Sequence, residues 1–411
     1  MSASPTARGS RVQRGGASRS NIPALTGLRA VAALLVVGTH AAFATGALTH
    51  GYLGAIFARL EIGVAIFFAL SGFLLFRPWV IAATTATPPP SLARYARHRF
   101  RRIMPAYVVA VLATFGVYTV FTPGPNPGQT WHGLVRYLTL TQIYTDNYLV
   151  TLLHPGLSQM WSLAVEASFY AALPALAWLV LRRGARPSAA LTRLAAMAAV
   201  TPAWLIVAHT TDLLPNSAGT WLPAHIACFV GGMTLAVLAA IGTRWRVGVT
   251  LPVAAALYLA VATPIGGAIL GGDPAWVPVT KALFYASIAM LVVGTAVLGP
   301  ASRYTRILGS RPMVRLGEIS YEIFLLHVAV MAVVMSLVLR WPLFTGSLVT
   351  LYLVTLGVTI PLAWTLHRFT SSRSAGTSSV NARPLCDAAS FSSAVSSAAV
   401  RVEPVGTNTG S

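Results

Sequence analysis

Arg29 and His40 stand eleven residues apart in Gly27-Leu28-Arg29-Ala-Val-Ala-Ala-Leu-Leu-Val-Val-Gly-Thr-His40, and the residues between them are apolar or small. On a helix rising about 1.5 Å per residue, the two are separated by about 16 Å. With Arg29 at a membrane surface, His40 falls near the middle of a hydrocarbon core about 30 Å thick. An ionisable group at that depth costs a few kcal/mol unless it faces protein or water, so it marks a functional site by default. A neutral imidazole can take a proton from a hydroxyl, which is the general-base step of an ester-forming acyl transfer. The alternative is a core histidine hydrogen-bonded to a neighbouring helix.

Other chemistry-bearing residues recur along the chain. Glu166 lies in Trp161-Ser162-Leu163-Ala-Val-Glu166-Ala-Ser-Phe169-Tyr170, within an apolar run. It is placed to orient His40 or to hold acceptor hydroxyls, or else to fix helix packing in a buried ion pair. His327 comes twelve residues after Arg315. That is about 18 Å of helix and reaches a depth like that of His40, so the two histidines are expected to share a polar cavity. Glu318 and Glu322, one turn apart, are expected to pair with Arg-rich loops. Arg99 and Arg102 belong to a run of five arginines within residues 94–102. Guanidinium groups grip phosphates in bidentate fashion, although such a run also serves as ordinary topology-setting charge. Ser71-Gly72 in Phe68-Ala-Leu-Ser71-Gly72-Phe73 suits close helix approach. The sequence has no Gly-x-Ser-x-Gly run, which argues against a nucleophile-elbow hydrolase.

The elements that must position these residues are membrane helices. Hydrophobic residues make up 55% of the 411 and charged residues only 9%, against roughly a quarter charged in a soluble domain. Ten apolar stretches have spanning length: 26–46, 62–82, 103–122, 160–181, 190–210, 222–241, 248–268, 278–298, 317–339 and 344–366. The fold class is therefore all-α, a polytopic membrane protein of about ten transmembrane helices. The formal charge of +20 is almost all arginine, gathered in short loops, which excludes a nucleic-acid face. Arg8, Arg11, Arg14 and Arg19 put the N-terminus in the cytoplasm, and an even number of spans returns the C-terminus there. Only Arg59, Arg136, Lys281 and Arg340 fall on the opposite side. The long loop 123–159 is expected to fold back over the membrane domain. Residues 1–21 read as a cytoplasmic arm and 370–411 as a disordered Ser/Ala-rich tail. Two cysteines, Cys228 and Cys386, offer neither a disulfide framework nor metal spacing.

Taken in order, these segments resemble the acyltransferase 3 family of integral membrane O-acyltransferases over residues 22–369. The resemblance rests on the Arg29–His40 spacing, Phe68-Ala-Leu-Ser71-Gly72-Phe73, Arg99-Phe-Arg-Arg102-Ile103-Met-Pro105, Trp161-Ser162-Leu163-Ala-Val-Glu166 with Phe169-Tyr170, and Gly317-Glu-Ile319-Ser320-Tyr321 ending in His327. It implies transfer of a short acyl group, usually acetyl, from acyl-CoA on the cytoplasmic side to a hydroxyl of a saccharide, glycolipid or glycosylated metabolite. It implies that Arg29, His40, Arg99 and Arg102 are needed for activity, with the arginines holding the acyl-CoA donor, and that Glu166 and His327 occupy family positions. No permanently bound cofactor is expected. The implied partners are acyl-CoA, a saccharide acceptor, the lipid bilayer and proteins of envelope biosynthesis, in a bacterial inner membrane. Two departures stand out: Ala167 follows Glu166 where relatives carry a second acid, and Ser371-Ser372-Arg373 replaces a Glu-x-Pro element. A transporter or flippase of a lipid-linked saccharide is the rival reading, since a charged mid-membrane cavity suits that too.

Overall fold

The computed structural model describes residues 22–182, 186–267 and 274–375. The N-terminal arm, residues 1–21, and residues 376–411 of the expected tail lie outside the described residues, whereas residues 370–375, expected to belong to that tail, continue the last helix. Among the described residues the protein is helical throughout, and nine helices are long and apolar enough to cross a membrane. The first span is Ile22–Ala44, the second Ile62–Thr84 and the third Leu92–Val117. The fourth is Trp161–Val180, preceded by a tight helical turn at Pro155–Met160. The fifth is broken at Ala199 into Pro187–Ala198 and Val200–Thr210. The sixth is Leu222–Ala240 and the eighth Trp276–Leu298. The ninth is Ser320–Val333, continued by a wide turn at Val334–Val338, and the tenth is Leu348–Ala375. The seventh stretch forms a shorter apolar helix, Val247–Val261. The expected stretch continues to 268, but beyond Val261 the chain leaves this helix and forms only a tight helical turn at Pro264–Gly266.

Lipid offers no hydrophobic drive for helices to meet, so close contact depends on small residues. The second and sixth spans show this reciprocally. A methyl group on Gly72 would lie 2.1 Å from the Phe229 carbonyl oxygen, and one on Gly232 would lie 1.9 Å from that of Ala69. Phe229 then stacks between Phe68 and Phe169, with ring centroids 4.4 and 4.1 Å away. These rings join the second, fourth and sixth spans in the largest apolar core.

The long connection 123–159 does fold in. It carries the helices Trp131–Leu138 and Tyr148–Thr151, and it buries Tyr137, Ile143 and His154 completely. Gln142 donates to the Met160 carbonyl at 3.1 Å, pinning the connection to the start of the fourth span. His154 packs against Phe115 and Tyr118. Its Nδ1 accepts from the Gly156 backbone N–H, so Nε2 carries the proton shared with Gln129 Oε1 at 2.8 Å. Loss of hydration pushes the His154 imidazole down to about 4, so it is neutral at physiological pH.

Candidate active site

Two residues one helical turn apart share a helix face. The pairs Arg99/Arg102 on the third span and Glu166/Tyr170 on the fourth follow this rule, and both turn into one pocket. Counted with the solvent at its mouth, the pocket has a volume of about 690 Å³. Arg29, Ser71 and Tyr321 complete its polar wall. Glu166 is held by two hydroxyls: Ser71 and Tyr170 both donate to its Oε1. The Tyr95 hydroxyl donates to the Tyr170 carbonyl at 3.1 Å, tying the third span to the fourth.

Arg29 lies within electrostatic range of Arg99, Arg102 and Glu166. Three guanidinium groups against one carboxylate leave the pocket with a formal charge of +2. Among the described residues, the ion pairs are Lys281–Glu61 and His367–Glu322, so none of these arginines is neutralised at contact distance. Arg99 Nε is buried with no hydrogen-bond partner. A buried, unpaired guanidinium N–H costs stability unless something fills its bond. The arrangement therefore fits an anion with several oxygens, such as a phosphate.

His40 and His327 form a separate pair. His327 Nδ1 lies 2.9 Å from the Phe324 carbonyl and 3.2 Å from that of Ile323, so Nδ1 carries its proton. His40 Nδ1 lies 2.8 Å from the Val36 carbonyl and 3.3 Å from His327 Nε2. One proton on His40 Nδ1 serves both acceptors. These assignments follow from the hydrogen-bond pattern, and they leave His40 Nε2 with a free lone pair. The expected common depth of the two histidines is thus realised as direct contact.

The six site residues fall into two groups. Arg29, Arg99, Arg102 and Glu166 share the arginine-rich pocket. His40 and His327 are not among its lining residues; the link is Phe324, which lines the pocket and sits 5.8 Å, centroid to centroid, from His327. The Glu166 carboxylate bonds to Ser71 and Tyr170 and not to His40. The Tyr321 hydroxyl is likewise committed, donating to the Ile103 carbonyl at 3.1 Å. Glu322 pairs with His367 at 2.9 Å, not with an Arg-rich loop, and Glu318 is exposed. Ser71 and Tyr170 as the clamp on Glu166 escaped the sequence reading, although Tyr170 sits one turn after Glu166. Among the described residues no group of three His, Cys, Asp or Glu is placed to hold a metal ion.

The family model described as the acyltransferase domain matches residues 22–368. The chain belongs to the acyltransferase 3 family. It is a multi-pass membrane O-acyltransferase. It is 29% identical over 326 residues to the acyltransferase MdmB of Streptomyces mycarofaciens, covering 74% of this chain and 78% of that protein. It is 23% identical over 325 residues to the peptidoglycan O-acetyltransferase OatA of Listeria monocytogenes, covering 75% of this chain. A similar likeness, 23% over 338 residues and 77% of this chain, links it to the O-acetyltransferase OatA of Staphylococcus aureus. The matched region spans about half the length of both OatA proteins, 49% and 51%. No solved structure matches.

Proposed function

We propose that this O-acyltransferase takes a short acyl group, acetyl above all, from acyl-CoA and delivers it to a saccharide hydroxyl. The observation that carries the reading is the surplus of unpaired guanidinium in the Arg29/Arg99/Arg102 pocket, with Arg99 Nε buried and orphaned. The phosphates of the donor fill that deficit. The flexible arm of the donor then carries its thioester about 16 Å along the first span, from the level of Arg29 to that of His40. Phe324 stands between the pocket and the histidines, and its side chain turns aside to admit the thioester.

At the thioester, the acceptor oxygen attacks the carbonyl carbon, a C–O bond forms and the C–S bond breaks. The hydroxyl proton passes to the free Nε2 of His40 and from there to the departing thiolate. His327 holds His40 in the tautomer that makes this possible. Glu166, fixed by Ser71 and Tyr170, positions the donor end of the pocket. The clustering of arginines in the loops on one side supports a cytoplasmic arginine end in a bacterial inner membrane, on the side where acyl-CoA resides. The saccharide acceptor draws support from the peptidoglycan named for the Listeria relative.

The test is donor binding. In lipid nanodiscs, acetyl-CoA is expected to raise the unfolding temperature, and Arg99→Ala is expected to abolish that shift. Equal protection of both proteins would show that Arg99 does not clamp the donor phosphates.

A further inference from the structure

The carbonyls that hold His327 are themselves held. Gln159 sits in the tight helical turn Pro155–Met160, just before the fourth span, and is buried at 2% exposure. Its Nε2 donates to the Phe324 carbonyl at 3.2 Å and to the Leu325 carbonyl at 2.9 Å. Those two residues stand three and two positions before His327 on the ninth span. The Phe324 carbonyl is also the nearer acceptor for His327 Nδ1, at 2.9 Å. One backbone oxygen therefore receives both the Gln159 amide and the His327 imidazole.

The orientation of the amide follows from its neighbours. Carbonyl oxygens only accept, so the nitrogen end must face them. Gln159 Oε1 is then left buried with no hydrogen-bond partner. A buried, unfilled acceptor costs stability. In return, the ninth span is pinned at the turn before His327. Leu157, Met160, Val36, Phe324 and Leu325 share one apolar core around this junction. Val36 supplies the carbonyl that His40 Nδ1 faces at 2.8 Å. The backbone acceptors of both histidines thus belong to one packed unit, and Gln159 ties its fourth-span side to its ninth-span side.

The histidine contact has little slack. His40 Nδ1 and His327 Nε2 are 3.3 Å apart, and a side-chain hydrogen bond is lost by about 3.6 Å. A small displacement of the Phe324–Leu325 backbone is enough to open it. The Phe324 side chain, which has to turn aside for the thioester, hangs from the same backbone. Amide bonds to two adjacent carbonyls let that ring rotate while the main chain carrying His327 stays in place.

We infer that Gln159 is a positioning residue for acyl transfer: it fixes the Phe324–Leu325 backbone so that His327 keeps His40 in its working tautomer. The inference rests on the transferase reading above and adds a residue to it.

The test is a double-mutant cycle read beside the histidine tautomers. Gln159→Met keeps an unbranched stem of similar length and removes the donor. In nanodiscs it is expected to lower kcat by about three- to tenfold, less than His327→Leu does, while acetyl-CoA still shifts the unfolding temperature. Added to His327→Leu, it is expected to cost less than about a further twofold, because the two act through one contact. Nitrogen NMR of histidine-labelled protein, with the His40 signals assigned by comparison with His40→Ala, reads the tautomer. His40 is expected to be protonated on Nδ1 in the unaltered protein and divided between Nδ1 and Nε2 in Gln159→Met. Gln159→Asn, whose amide stands on a stem one carbon shorter, is expected to give the same signature, and it replaces Gln159→Met should that protein not fold. Losses that multiply in the double variant, or a His40 tautomer unchanged by either substitution, would reduce Gln159 to a packing residue and overturn the inference. Failure of the transferase reading looks different: the unaltered protein transfers no acetyl, while the tautomer shift in Gln159→Met remains.

Discussion

His327 Nε2 accepts from His40 Nδ1 at 3.3 Å, joining the first span to the ninth in the middle of the bundle. Neither ring is there by accident of packing, because each also satisfies backbone carbonyls on its own helix. The consequence is a fixed tautomer, with the basic nitrogen of His40 turned outward from the pair. On the proposed mechanism, His327 is thus a positioning residue. His327→Leu is expected to lower acyl transfer by about tenfold to a hundredfold, part of the roughly 10²–10⁴ that a general base contributes. His327→Gln offers an amide oxygen to the same N–H and is expected to recover much of the loss. A His327→Gln protein no better than His327→Leu, with both folded, would contradict the positioning role.

Glu166 is the lone carboxylate among the guanidinium groups of the first pocket, and it makes no ion pair with them at contact distance. Its removal raises the pocket's formal charge from +2 to +3. Glu166→Gln is therefore expected to tighten acetyl-CoA binding severalfold at about 0.01 M salt, with the gain fading at 0.15 M or above as screening sets in. The same variant is expected to transfer acetyl more slowly, since the donor loses a positioned partner. Isothermal titration at the two salt levels reads the first effect. Weaker binding at both would mean that Glu166 holds the arginines in place after all.

The loop 123–159 carries a pH-dependent element of stability. His154 is fully buried and its imidazole is depressed to about 4, while an unfolded chain titrates near 6.5. Between those values the unfolded state binds the extra proton, so folding stability is complete above about pH 6.5 and falls as the pH drops toward 4. The span corresponds to a loss on the order of 3 kcal/mol. His154→Asn retains an acceptor for the Gly156 N–H and has nothing to titrate. Thermal unfolding of this variant is expected to vary less between pH 6.5 and 4.5 than that of the unaltered protein. Parallel curves would remove His154 as the cause.

The helices were legible because lipid imposes rules that sequence obeys openly, whereas the arginine cluster alone read as ordinary topology charge and gained a pocket only through the family resemblance. Spanning length, arginine clustering and the i, i+3 and i, i+4 spacings needed no tertiary knowledge. The short seventh helix was less so, since hydropathy marks apolar runs and not where a helix stops. The proximity of His40 and His327 was foreshadowed by their similar depth, but depth named a shared cavity and not their direct contact, nor could it say that Glu166 bonds to Ser71 and Tyr170 instead. Lys281 shows the opposite failure. Counted as topology charge, it sits inside the eighth span, where the rule applied to His40 should have singled it out. Its partner Glu61 was hidden at the edge of an apolar run, and no periodicity relates the second span to the eighth. Pairings between distant helices are set by packing, such as the Gly72–Gly232 contact, and sequence spacing does not record them.

On the proposed mechanism, His40 Nε2 takes the proton from the acceptor hydroxyl. Labelled acetyl transfer from acetyl-CoA by protein in nanodiscs, compared between the unaltered chain and His40→Ala, measures it most directly. Transfer is expected to fall by at least about a hundredfold in His40→Ala, while the unfolding temperature and its acetyl-CoA shift are retained. Transfer at an undiminished rate from a folded, donor-binding His40→Ala protein would contradict it.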